Sequence, residues 1–249
     1  MLNREALIDL IAKELQLSAK QVSNVISLSE EGNTVPFIAR YRKEMTGALD
    51  EVQIRNILEK WNYLQNLEQR KEEVLRLIDE QGKLTDELKN AIIHATKLQQ
   101  VEDLYRPYRQ KRRTKATIAK EKGLEPLAEW LWTCPAAPRP EEKALEFVNP
   151  DKEVLTAEEA LQGAKDIIAE KVSDDAQFRQ WIRQQTWKKG VIVSTVKELE
   201  NDEKKVYEMY YEYEEPVHKI VPHRVLALNR GEKEGVLRVS IQPPVEDII

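Results

Sequence analysis

Residues 106 to 115 read RPYRQKRRTK, so six cations stand in ten positions: Arg106, Arg109, Lys111, Arg112, Arg113 and Lys115. Guanidinium groups grip phosphate oxygens two at a time, and lysine adds a mobile point charge. Pro107 breaks a helix, and the tyrosines at 105 and 108 offer rings on which bases can stack. This pattern suits the phosphates of a nucleic acid. The same charges also suit a second reading, in which the arginines clamp acidic helices of the chain itself.

The surrounding charge makes the segment stand out. The whole chain of 249 residues has a formal net charge of -5. From Asp103 to Gly123, eight basic residues face two acidic ones, a net of +6 that leaves -11 for the rest. Positive charge this concentrated gives the molecule a polar field whatever its total.

A second cationic block lies in GNTVPFIARYRKEMTG, residues 32 to 47. Pro36 suits the first turn of a helix and Gly47 its end, so PFIARYRKEM is predicted to be helical. Phe37, Ile38 and Tyr41 are expected to face the core. Arg40, Arg42 and Lys43 spread over the outer side as secondary basic contacts. Three short helices with tight turns resemble a helix-turn-helix, which is also a widespread way of packing a small bundle.

Other chemistry is sparse. The eight glycines form neither a dinucleotide turn nor a phosphate-cradling loop. The three histidines and Cys134 show no metal-ligand spacing, and pairs such as Glu72-Glu73 and Glu158-Glu159 suit solvated helix faces. The expectation is a non-enzyme with no catalytic residue, cofactor, metal or small-molecule substrate. A lone cysteine forms no internal disulfide, no leader is evident, and no apolar run approaches the roughly 20 residues of a membrane span. A cytoplasmic protein without a membrane partner is expected.

The elements that position these blocks are helical. Apolar residues recur at helical spacing from Asn3 to Leu15. Ser18 with Gln21, Asp50 with Gln53, and Thr156 with Glu159 spell capping boxes. Ile54, Ile57, Trp61, Leu64, Leu67, Val74 and Ile78 predict one long helix reaching Gly82, and Thr85 opens another to Tyr105. After Gly190 the pattern shifts, with VIVSTV and VLRVSI reading as strands around an aromatic stretch. The fold class is mainly α, an elongated multi-helix assembly with a helix-turn-helix-like start and one or two short strands near the C-terminus. Three regions are expected. Residues 1–68 form the helix-turn-helix-like domain. Residues 69–190 form a helical region holding the basic segment 103–123 and a proline connector at 134–140. Residues 191–249 hold an aromatic helix and short strands.

Four stretches carry a family resemblance: EGNTVPFIARYRKEMTGALDE (31–51), VEDLYRPYRQKRRTKATIAKEKGLEPLA (101–128), FRQWIRQQTWKKGVIVSTV (178–196) and HRVLALNRGEKEGVLRV (223–239). Together they resemble the amino-terminal region of the bacterial Tex family, transcription accessory factors related to a eukaryotic transcription elongation factor. The resemblance implies a helical scaffold that continues into a YqgF domain, helix-hairpin-helix elements and an RNA-binding S1 domain, so that this chain is one part of a larger protein. It supplies no catalytic residue for this portion. Arg106 and Gln110 depart from the family's LYxPYxPKRRTK pattern, leaving the segment more basic and less rigid. The implied function is non-enzymatic nucleic-acid binding, to RNA or DNA in the full-length context, as a transcription accessory factor. The alternative is a protein-interaction module that docks the transcription machinery or the missing domains.

Overall fold

The structure is a computed structural model describing residues 2–133 and 139–248. Cys134 and most of the expected proline connector lie outside the described residues. The chain divides into two compact units, residues 1–110 and 111–249.

The first unit opens with α1 (Arg4–Leu15) and α2 (Ala19–Glu30). The Ser18–Gln21 capping box forms as its spacing predicts, each side chain satisfying a backbone N–H of the other residue. The expected third helix is two: α3 (Val35–Tyr41) and α4 (Lys43–Thr46). Arg42, at φ −131°, interrupts them. Gly47 ends α4 at φ +68°, where a Cβ would meet the Gln21 side chain at 2.8 Å. That side chain donates to the Thr46 carbonyl at 3.1 Å, tying α2 to α4.

Asp50 and Gln53 form the second capping box and start α5 (Glu51–Asp79), whose 29 residues extend about 44 Å at ~1.5 Å per residue. Its first half packs Ile54, Ile57 and Trp61 against Ile11, Val25 and Ile38. Its second half packs Val74 and Ile78 against Ile92 and Val101 of α6 (Asp86–Ile93) and α7 (Leu98–Tyr105). One continuous helix had been expected from Thr85 to Tyr105. Instead the Gln100 side chain accepts from the backbone N–H groups of Thr96 (2.8 Å) and Lys97 (3.1 Å), capping a fresh helix start. The expected boundary at residue 68 falls inside α5, between Leu67 and Lys71, both buried.

The second unit begins with α8 (Lys115–Glu121) and α9 (Glu125–Trp132), followed by α10 (Pro140–Ala144), which Pro140 opens. Then come α11 (Ala157–Asp174) and α12 (Ala176–Lys189). Gly163 lets α11 approach α8 and α9, since a Cβ there would stand 2.4 Å from Leu124. The expected break at residue 190 is where helix gives way to sheet. β1 (Val191–Val196) lies between β2 (Glu212–Pro216) and β3 (Leu237–Gln242), antiparallel to both, with α13 (Pro222–Lys233) before β3 and α14 (Val245–Ile248) after it. The expected aromatic helix is absent. Its tyrosines lie instead on a short 3-10 turn and β2, because EYEEP supplies a partner for the open edge of β1 while Tyr210, Tyr211 and Tyr213 pack on the core of Leu228, Val236 and Leu237.

Candidate functional site

Arg106 opens a 3-10 turn that Pro107 shapes, and Arg109 follows on extended backbone at φ −68°, ψ 137°; both are exposed in the first unit. The tyrosines expected to stack on bases do not share that exposure. Tyr105 is buried in the second core of the first unit, under the Arg70 guanidinium at 5.4 Å, and Tyr108 is half-buried against the same core. Arg70 is itself held by Glu102 at 2.6 Å, which pushes its pKa above the ordinary arginine value. The α7 periodicity that places Val101 inward carries Tyr105 inward too.

The remaining four cations of the segment belong to the second unit and divide into two kinds. Lys111 is committed to α11: it pairs with Asp174 and lies 3.4 Å from Glu170. Thr114 joins the same carboxylate, donating to Glu170 at 3.0 Å while capping α8 through the Thr117 N–H at 3.1 Å. Arg113 pairs with Glu121 at 2.7 Å, with both side chains largely in solvent. Arg112 and Lys115 are exposed and have no ion partner among the described residues, as is Arg109 in the first unit. Lys111 and Arg113 are thus paired with carboxylates of the chain itself, while Arg109, Arg112 and Lys115 stand exposed.

The α3–α4 block differs from its expectation in burial as well as in its break at Arg42. Ile38 is fully buried and Phe37 half-buried, but Tyr41 is 62% exposed. The buried residues of α3 are Ile38 and Ala39, with Val35 partly buried beside them at i−3 and i−4, and this stripe turns Tyr41 off the core. Its ring lies 5.2 Å from that of Phe37, tilted by 45°. The Arg42 guanidinium sits 5.0 Å from the Phe37 centroid and donates to the Tyr41 carbonyl at 3.0 Å. Arg40 is 4.0 Å from Glu51 with a side chain 70% exposed, and Lys43 is exposed with no ion partner among the described residues.

A feature without a sequence signal is a cleft of about 740 Å³ in the first unit, formed by α1, α5 and the turn at 93–97. Glu68 and Lys71 meet there at 2.6 Å. Lys71 also donates to the Ile93 carbonyl at 2.9 Å, and the second Glu68 oxygen accepts from the Leu2 N–H at 2.9 Å. The two buried charges are matched, as burial demands. His94 is exposed at the end of α6, bonded to the Asn90 carbonyl at 2.8 Å. Among the described residues no group of three or more metal-binding side chains gathers, and no helix is long and apolar enough to cross a membrane.

Known families match both parts of the chain. The Tex-like protein N-terminal domain matches residues 5–79, and the Tex central region-like family matches residues 136–248. The protein YdcI of Bacillus subtilis is 62% identical over 96% of this chain, which covers 33% of that protein. The transcriptional accessory protein Tex of Neisseria gonorrhoeae is 41% identical over 96% of the chain, covering 31% of its own length. A human S1 RNA-binding domain-containing protein 1 is 28% identical over 94% of the chain and 24% of itself. The chain thus spans about a third or less of the length of these relatives. Two regional matches in order, and relatives that align along nearly all of its residues, place the chain in the Tex family, where it comprises the N-terminal domain and central region.

Proposed function

We propose that the chain is a non-enzymatic, nucleic-acid-associated scaffold of a transcription accessory protein, with Arg109, Arg112 and Lys115 as its main phosphate contacts. The observation that carries this reading is the exposure of these three cations without ion partners, in a segment of net +6 within a chain of net -5. The names of the relatives, a transcriptional accessory protein and an S1 RNA-binding domain-containing protein, point the same way. Arg106 and Arg113 add to the field, while Lys111 fastens the segment to α11. Phosphate binding releases counterions, so each contact on a single strand contributes about 0.7 to the slope of log affinity against log salt. Titrating the chain with single-stranded RNA and DNA over a range of salt tests the reading. Changing Arg109, Arg112 and Lys115 together to Gln is expected to weaken binding and flatten the slope at an unchanged melt. An unaltered slope overturns the assignment.

A second reading has its own observation. Helix α12 buries none of its residues, and Phe178, Trp181 and Trp187 are 40% to 61% exposed. Phe178 and Trp181, three residues apart, share one face of the helix, and that face suits a docking partner, whether another protein or further parts of a longer Tex chain. An association through that face of α12 responds to Trp181→Ala and resists salt, whereas one through the basic segment does the opposite.

A further inference from the structure

We infer that Tyr41, with Phe37 behind it and Arg40, Arg42 and Lys43 around it, is a stacking platform for one base of a single-stranded nucleic acid. The inference deepens the reading above, since it presumes a nucleic-acid partner, but it rests on other residues and lies wholly in the first unit.

The geometry argues for a planar ligand with a phosphate attached. Tyr41 is 62% exposed on a short helix, and the ring contact it makes is with Phe37 rather than with the core. Phe37, one turn earlier, lies 5.2 Å away and limits the ring's freedom, so the stacking surface is held in place before a ligand arrives. Arg42 covers Phe37 at 5.0 Å, adding a second flat cationic surface to the aromatic pair. Arg40 and Lys43, one residue before and two after Tyr41, are exposed and add positive charge to the same short block, as an attached phosphate requires. Glu51 reaches Arg40 only at 4.0 Å and leaves its side chain 70% exposed.

An apolar protein partner fits this surface less well, because docking it would strip water from three cations without supplying counter-charge. A duplex fits less well too, since its bases are already stacked on one another and offer no free face. The committed ligand is therefore an unpaired nucleotide within a strand. Stacking tolerates every base, so the platform contributes affinity and register rather than sequence choice.

The test uses the 249-residue chain. The probes are a short single-stranded RNA, the DNA strand of the same sequence, each carrying one 2-aminopurine, and the corresponding DNA duplex. Tyr41→Leu keeps bulk and apolarity but removes the ring. It is expected to weaken single-strand binding about tenfold and to abolish the fluorescence quenching that stacking produces, with the melt and the salt slope unchanged. Tyr41→Phe is expected to restore both. Loss in both strands assigns a sugar-tolerant platform, and loss in the RNA alone assigns one that reads the ribose. Arg40→Gln with Lys43→Gln is expected to lower the salt slope by about 1.4, at ~0.7 per contact. A Tyr41→Leu variant that binds and quenches like the parent overturns the platform. Tighter binding of the duplex than of either strand does the same. The triple Arg109, Arg112 and Lys115 variant separates the two ideas. If it loses binding while Tyr41→Leu is silent, the platform fails and the basic segment stands. A parent chain that binds neither strand at low salt overturns both.

Discussion

The cations at 40–43 ride on two short helices whose inner face is anchored by Ile38, whereas those at 106–115 run from a 3-10 turn through a stretch without regular structure to the first residue of α8. In the first block Ile38 and Ala39 anchor the inner face and the Gln21 amide ties in α4. The cations there make lighter contacts, Arg40 with Glu51 at 4.0 Å and Arg42 with the Phe37 ring and the Tyr41 carbonyl. In the second the backbone has few bonds of its own, and side chains secure it: Lys111 to Asp174 and Glu170, Thr114 to Glu170. A cationic run on an apolar-anchored helix can leave most of its charge open to a ligand, while one on irregular chain gives up part of its charge to fix its own path.

The contrast breaks first at Ile38. Ile38→Ala is expected to cost about 2–5 kcal/mol in chemical denaturation, because the side chain is fully buried against α5. A near-neutral result would mean that the first block is held by something other than its apolar face. Next is Lys111→Gln, expected to cost about 1 kcal/mol, the value of a partly exposed ion pair with two carboxylates. Its salt slope for single strands should stay that of the parent, and a fall would show that Lys111 is a contact rather than a clamp. Arg113→Gln, whose pair with Glu121 is open to solvent, should move the melt by less than about 0.5 kcal/mol. Smallest of all on stability is the joint change of Arg109, Arg112 and Lys115 to Gln, which leaves the melt in place while the slope drops by about 2. A destabilised triple variant would erase the distinction between the two halves of the segment.

What the sequence made legible was local. The capping pairs Ser18–Gln21 and Asp50–Gln53 act over three residues and form as their spacing predicts, and the apolar period of α5 is long enough to be unambiguous. Tyr41 was misplaced because seven helical residues give too short a period to choose between two faces, and the packing of Val35, Ile38 and Ala39 decided it. The turn between α6 and α7 hid in a helical pattern, since a Gln100 side chain bonding backward leaves no composition signal. β2 was missed because a central strand supplies its pairing from outside the segment. The basic segment was plain as a cluster of charge. Its division into clamp and open cations was not, because the partners of Lys111 lie 59 and 63 residues further on, at Glu170 and Asp174.

Helix α5 belongs to two cores at once: Ile54, Ile57 and Trp61 to one, Leu67, Val74 and Ile78 to the other, with Leu64 touching both. A helix cannot be cut without creating new ends, each with four backbone groups lacking partners. Neither core can therefore open alone without fraying the rod that supports its neighbour. Amide hydrogens from Leu58 to Val74 should exchange with solvent through a single shared opening, and a fragment ending at Glu68 should fail to hold its fold. The first 110 residues then behave as one cooperative unit, and a perturbation at the far end of α5 is felt beneath the Tyr41 helix as a change in how often that unit opens.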